Sequence, residues 1–214
     1  MLKICEIYPA IQGESSYVGL PCLIVRLAGC NLDCSWCDTS RARNGTNAEE
    51  ISVEQVVGSC RESGLNMVLI TGGEPLLQEE TKDLLERLID AGFRVLLETN
   101  GSLPIEGIPQ EVTIILDMKC PGSGMQDEML MENLDMLRPH DEVKFVIADR
   151  RDFDYALNIA KRYHLVERSK PLFSPAFDRL NASQLAQWML ESRLFIRLNL
   201  QIHKYIWGSD AGKK

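Results

Sequence analysis

A chain of 214 residues is long enough to bury one sizeable core, and 45% hydrophobic against 25% charged side chains is the balance of a globular protein, not a disordered one. With 31 acidic and 23 basic residues the net charge is −8, which argues against a broad phosphate-binding surface and hence against nucleic acid as a partner; a small-molecule substrate is favoured. The opening MLKICEIYPAIQGE lacks a signal-peptide pattern and no stretch approaches the roughly 18 apolar residues of a membrane span, so the expected location is the cytoplasm, with no membrane partner.

One domain is expected over 1–214: an N-terminal strand, a core from about residue 20 to 203, and a C-terminal tail whose last residues, through Lys214, look loose. Short β-branched runs predict strands at Leu23 to Leu27, Met67 to Thr71, Arg94 to Glu98, Thr113 to Asp117, Val143 to Ile147, Pro171 to Ser174 and Phe195 to Ile202. Their near-continuous apolar character suits strands buried on both faces. Between them Ser52-Val53-Glu54-Gln55 is a capping box that opens a helix closed by Gly64, and Leu84, Leu85, Leu88 and Ile89 form the stripe of a helix ended by Gly92. Asp127 to Leu137, Asp152 to Tyr163 and Ala182 to Glu191 read as three more helices. Gly101, Pro104, Gly107 and Pro109 leave no room for a full helix between Thr99 and Val112. The alternation predicts a parallel α/β sheet, open or curled into a barrel.

In such folds ligands collect at the carboxyl ends of the strands. The residues that follow the predicted strands here are unusually chemical: three cysteines after Leu27, Thr71-Gly72-Gly73-Glu74-Pro75 after Ile70, Glu98-Thr99-Asn100-Gly101 after Leu97, Asp117-Met118-Lys119 after Leu116, and His203-Lys204 after Ile202.

Seven cysteines, an odd number with three of them in Cys30-Asn-Leu-Asp-Cys34-Ser-Trp-Cys37, do not suit a disulfide framework and fit thiolate ligands in a reducing compartment. A cubane iron-sulfur cluster takes about one Cys per iron, so three cysteines leave one iron open to a cofactor or substrate. A structural zinc site wants four protein ligands, and no fourth lies nearby, since the histidines are His140, His164 and His203 and the neighbouring Cys22 and Cys60 sit outside the loop. Cys5, Cys22, Cys60 and Cys120 show no partner pattern.

The C-x3-C-x2-C spacing with Trp36 before the third cysteine, together with Thr71-Gly72-Gly73-Glu74-Pro75, resembles the radical S-adenosylmethionine (SAM) superfamily. That resemblance implies a partial (β/α)6 barrel of the radical SAM type with a shortened or missing helix near residues 101–112, and a 4Fe-4S cluster on Cys30, Cys34 and Cys37. The open iron then binds the amino and carboxylate groups of SAM, Trp36 lies near the adenine, and Gly73 and Glu74 meet the methionine amino group. Tyr8-Pro9-Ala10-Ile11-Gln12-Gly13-Glu14-Ser15, Arg26, Cys37-Asp38-Thr39 and Gln201-Ile202-His203-Lys204 narrow the resemblance to the 7-carboxy-7-deazaguanine synthase family, over about Ile7 to Trp207. The implied reaction is radical ring contraction of 6-carboxy-5,6,7,8-tetrahydropterin with loss of ammonia, on the route to queuosine and related deazapurines, with SAM regenerated after each turnover. The resemblance further implies Mg2+ at Thr39, SAM contacts at Asp38, Glu98, Asn100, Asp117, Met118, Lys119 and Ser174, an external electron donor of flavodoxin or ferredoxin type, and a homodimer.

The residue chemistry agrees with a carboxylated pterin. Arg26 offers a guanidinium fork for the carboxylate, Gln12, Gly13 and Glu14 offer partners for the amide and amino edge, and Thr71 and His203 at strand tips complete a polar ring. Taken singly, Arg26 serves as well to pair a core carboxylate, His203 as a satisfied strand-end histidine, and Gln12 to Glu14 as a surface turn. The rival activities are activation of a glycyl-radical enzyme and non-catalytic metal binding by the three cysteines.

Overall fold

A computed structural model describes residues 1–208, so the expected looseness of the last residues, and the end of the 1–214 span, lie outside the described residues. The strands are β1 (Leu2–Ile11), β2 (Pro21–Leu27), β3 (Glu49–Ile51), β4 (Met67–Gly72), β5 (Arg94–Thr99), β6 (Thr113–Met118), β7 (Glu142–Ile147), β8 (Lys170–Pro175) and β9 (Arg197–Leu198). They form one nine-stranded sheet in the order β3-β1-β2-β4-β5-β6-β7-β8-β9. β1 pairs antiparallel with β2 and β3, and every pair from β2 onward is parallel. The sheet is open, as the partial barrel requires.

The helices are α1 (Ser40–Arg43), α2 (Val53–Glu62), α3 (Thr81–Asp90), α4 (Asn133–Met136), α5 (Arg150–Arg162), α6 (Leu165–Arg168), α7 (Ala182–Ser192) and α8 (Ile202–Trp207). The capping box is formed as read: Gln55 N donates to Ser52 Oγ at 3.2 Å and Ser52 N to Gln55 Oε1 at 3.0 Å. No helix fills the stretch between β5 and β6.

Two predicted elements differ. The helix expected over Asp127 to Leu137 is replaced by a 3-10 turn at Gln126–Glu128 and the short α4. The cause is a competing set of partners: Leu130 N donates to Gly101 O, and the buried Asn133 amide donates to Gly101 O and Leu103 O and accepts from Ile105 N. These bonds tie the segment to the helix-free loop after β5. The strand expected over Phe195 to Ile202 shrinks to β9, because Asn199 turns inward to accept from Ser15 N at 2.8 Å and donate to Ser174 Oγ at 2.7 Å. His203 therefore stands in the first turn of α8 and not at a strand tip.

The central strands are buried on both faces, as expected, but the two faces meet different neighbours. Val68, Ile70, Val95, Leu97, Ile114, Leu116, Val143, Phe145 and Phe173 join the main core with residues of α2, α3 and α5, such as Val56, Leu84 and Phe153. The alternate residues face the other way. Met67, Leu69, Leu96 and Ile115 make a small second cluster with Cys22, against which Ile24 and Tyr17 pack. By the period of two along a strand, the next residues on that face are Arg26, Thr71, Glu98, Asp117 and Lys144. An apolar floor thus gives way to charged and polar strand tips.

Candidate active site at the strand tips

A cavity of about 1070 Å3 opens over this face. It is lined by the cysteine loop, by Gln12, Gly13 and Glu14 after β1, by Arg26, Thr71, Glu98, Asp117, Lys144 and Ser174 on the strands, and by His203 of α8. Trp36, Asp38, Thr39, Gly73, Asn100 and Lys119 also line it. The side chains of two expected contacts are placed elsewhere: Glu74 and Met118 are fully buried and do not line the cavity.

The cysteine loop is clamped from three sides. At β4, Gly73 N donates to Leu27 O and Glu74 N to Gly29 O, at 3.0 and 2.7 Å. Behind β6, Ser35 N donates to Ser123 O and Ser35 Oγ to Gly122 O. From the loop after β8, Arg179 donates to Ser35 O and stacks on the Trp36 ring at 5.1 Å. Gly73 is needed for this approach, since a Cβ there would fall 1.9 Å from Gly29 O and 3.0 Å from Cys30 Cβ. Glu74 works from behind: its carboxylate accepts from Leu76 N, Thr99 Oγ1 and Asn100 N, joining the tips of β4 and β5. Burial pushes its pKa up against those bonds.

The donor set fits an iron-sulfur cluster. Three thiols line one cavity, Leu32 N and the Asn100 amide lie 3.5 and 3.6 Å from Cys30 Sγ, and Lys119 places a cation toward Cys34 against the burial that pushes that thiol up. Among the described residues no three His, Cys, Asp or Glu side chains are set to hold a single metal ion. The Thr39 hydroxyl, expected at Mg2+, lies 3.9 Å from Cys37 Sγ and offers one oxygen donor toward the cavity.

The substrate-side residues form a second group. Glu14 Oε1 accepts from Gln201 Nε2 at 2.7 Å and Oε2 from Lys144 Nζ at 3.0 Å. Burial opposes its charge, but Lys144 and the Gln201 bond outweigh burial and lower its pKa. Asp117 is likewise lowered by Lys119 and Lys144 in spite of burial, and its Oδ1 is buried with no hydrogen-bond partner among the described residues. Gly13 packs directly on His203: a Cβ would lie 2.0 Å from Nδ1, and Gly13 O accepts from Ile202 N. Burial lowers the His203 pKa, so the ring is neutral near pH 7. Arg26 pairs with Glu6 at 2.8 Å and donates to Tyr8 Oη at 3.1 Å, so it meets a carboxylate of its own chain as well as the cavity.

Lys144 is the functional candidate that sequence motifs pass over, and Gln201, part of a quoted motif, gains a role through its bond to Glu14. Lys144 lies within the apolar run VKFVI, and the available signal is its strand parity with Asp117, its cross-strand partner.

Residues 24–166 match the model of the radical SAM superfamily. The chain is 44% identical to the 7-carboxy-7-deazaguanine synthase of Koribacter versatilis, covering 98% of this chain and 99% of that one. It is 38% identical to that of Chlorobaculum tepidum, covering 98% and 96%. Among solved structures, QueE from Escherichia coli superposes with a TM-score of 0.75 at 22% identity, covering 94% of this chain and 93% of that one, which shows a shared fold.

Proposed function

Because the chain belongs to the 7-carboxy-7-deazaguanine synthase family of radical SAM enzymes, we propose that it contracts 6-carboxy-5,6,7,8-tetrahydropterin to 7-carboxy-7-deazaguanine with release of ammonia. The observation that supports this most is that the cysteine loop and the carboxylate and amide groups of Gln12, Glu14 and Gln201 line the same cavity. Cys30, Cys34 and Cys37 are the ligands of the 4Fe-4S cluster, and Trp36, Asp38, Gly73, Glu98, Asn100, Asp117, Lys119 and Ser174 surround SAM. Glu74 and Met118 support that site from behind it. When bound, the cluster and SAM supply a 5'-deoxyadenosyl radical that takes a hydrogen atom from the substrate.

The chain's own residues bind and orient. Glu14 accepts from the amino and amide N–H groups of the pterin, and Arg26 keeps part of its guanidinium toward the substrate carboxylate while Glu6 fixes its angle. Neutral His203 offers a hydrogen bond without adding charge, and Thr71, donating to Glu98 at 3.0 Å, completes the rim. The apolar floor of Leu69 and Ile115 takes the flat ring and excludes water below it. Thr39 contributes to Mg2+. Electrons come from an external donor of flavodoxin or ferredoxin type, and the protein acts in the cytoplasm as a homodimer of one radical SAM domain spanning 1–214. Among the described residues no helix is long and apolar enough to cross a membrane.

The test is anaerobic reconstitution followed by reduction with substrate present. Ammonia and 7-carboxy-7-deazaguanine formation that depend on both substrate and SAM, and that vanish in Cys30→Ala, are expected. A cluster spectrum without SAM cleavage would return the site to simple metal binding. Cleavage that is stimulated by a glycyl-radical protein and not by the pterin would indicate an activase.

A further inference from the structure

Lys144 is a charged side chain in a buried strand position, 7% exposed, at the floor of the cavity. Its Nζ lies 3.0 Å from Glu14 Oε2 and 3.4 Å from Asp117 Oδ2, and it also pairs with Glu98 Oε1. One cation thus joins carboxylates from the loop after β1, from β5 and from β6. An ammonium so surrounded is not the proton donor to a leaving amine: burial opposes its charge, but Glu14, Glu98 and Asp117 outweigh burial and raise its pKa well above the usual lysine range.

The contacts point to positioning. Glu14 has one oxygen on Gln201 and the other on Lys144, and Glu98 has one on Thr71 and the other on Lys144. Each carboxylate is fixed in plane at both ends, and each oxygen keeps a lone pair for a further donor. We infer that Lys144 is the positioning residue that locks Glu14 as a hydrogen-bond acceptor on the cavity wall, so that the site selects a heterocycle presenting N–H donors along that edge, while its bond to Glu98 braces the SAM side of the same cavity. This rests on the proposed function in taking Glu14 as a substrate contact.

The groups that face Glu14 are Lys144 from β7, Asp38 from the cysteine loop and His203 from α8, with Glu98, Asp117 and Lys119 beyond Lys144 and Lys204 beyond Asp38. Asp38 disfavours the Glu14 charge and His203 is neutral near pH 7, so Lys144 is the cation on which that charge depends. Removing it raises the Glu14 pKa, and the protonated form, which has lost an acceptor, then spreads to higher pH.

The experiment compares wild-type holoenzyme with Lys144→Met, Lys144→Arg and the double variant Lys144→Met with Glu14→Gln. In Lys144→Met the KM for carboxytetrahydropterin is expected to rise about tenfold to a hundredfold, the loss of one well-made charged acceptor, with a smaller rise in the KM for SAM because Glu98 and Asp117 lose the same partner. The acid limb of kcat/KM for the pterin moves to higher pH, Lys144→Arg restores most of both effects, and in the double variant the displaced limb disappears. An unmoved KM and acid limb in Lys144→Met overturn the inference, as does equal loss of kcat in the Met and Arg variants, which marks a merely structural lysine. Should Lys144→Met fail to fold, Lys144→Gln is measured in its place: the same rise in the KM for the pterin is expected, and an unmoved KM overturns the inference. A wild type inert on this pterin refutes the proposed function instead.

Discussion

Gly73 has its identity imposed by the loop that carries the cluster ligands. A methyl group there would strike Gly29 O at 1.9 Å and press on Cys30 Cβ at 3.0 Å, and the Gly29 backbone is held in place, its N–H donating to Ala42 O and its O accepting from Glu74 N. Gly73→Ala is therefore expected to fold but to retain less than about half of the wild-type iron after reconstitution, because displacement of Cys30 weakens one of three ligands. Iron content and cluster absorbance equal to wild type would contradict this. Glu74 makes a different prediction. Its carboxylate is 0% exposed and satisfies three donors, so Glu74→Ala strands Leu76 N, Thr99 Oγ1 and Asn100 N and should cost about 2–4 kcal/mol in denaturant unfolding. A loss below about 1 kcal/mol would contradict it. At this scale Cys30, Cys34 and Cys37 were legible because their spacing is local. The role of Glu74 was not, because its partners on β5 lie some 25 residues away along the chain. Lys144 was hidden for the same reason, with Glu14 at a separation of 130.

β2 and β4 to β8 were legible as elements, since each is a compact apolar run between turns, whereas β3, with the sequence Glu49-Glu50-Ile51, was not. What periodicity did not disclose is which face would be covered. Residues of β4 and β5 alternate evenly between the helix-covered core and the cavity floor, and both sets are aliphatic. On β2, β4, β5 and β6 polar character enters the cavity face at the strand ends, at Arg26, Thr71, Glu98 and Asp117, and on β7 it enters mid-strand, at Lys144. The C-terminal run was misleading in a different way: FIRLNLQI has strand composition, but Asn199 spends its amide on Ser15 and Ser174 and ends the pairing. The helix that follows, α8, closes over the loop after β1. Gly13→Ala would meet His203 Nδ1 at 2.0 Å and force α8 away from Glu14. The expected result is a rise of about tenfold or more in the KM for the pterin, equivalent to about 1.4 kcal/mol, with cluster absorbance unchanged. Loss of the cluster together with substrate affinity would contradict the separation of the two groups.

The whole molecule is a partly rolled sheet with short strands, β3 and β9, at its two edges. Several apolar side chains of the C-terminal part are exposed: Leu190 is 81% exposed, Phe195 91% and Tyr205 94%. The homodimer proposed above would bury such side chains against a second copy. Phe195→Glu with Leu190→Glu is expected to convert a dimer into a monomer in sedimentation while leaving the melting transition within a few degrees. A dimer that persists would place the interface elsewhere. The sheet topology also explains why the substrate end and the cluster end share one space: the loop after β1 crosses the open side and is pinned by Glu142 of β7, which accepts from Ser16 N, and by Asn199 beyond β9. The most direct test of the account is product identity. Reconstituted protein, reduced under argon with SAM, Mg2+ and 6-carboxy-5,6,7,8-tetrahydropterin, should yield 7-carboxy-7-deazaguanine by mass, with more product formed than SAM consumed. Formation of 5'-deoxyadenosine with the pterin recovered unchanged would contradict it.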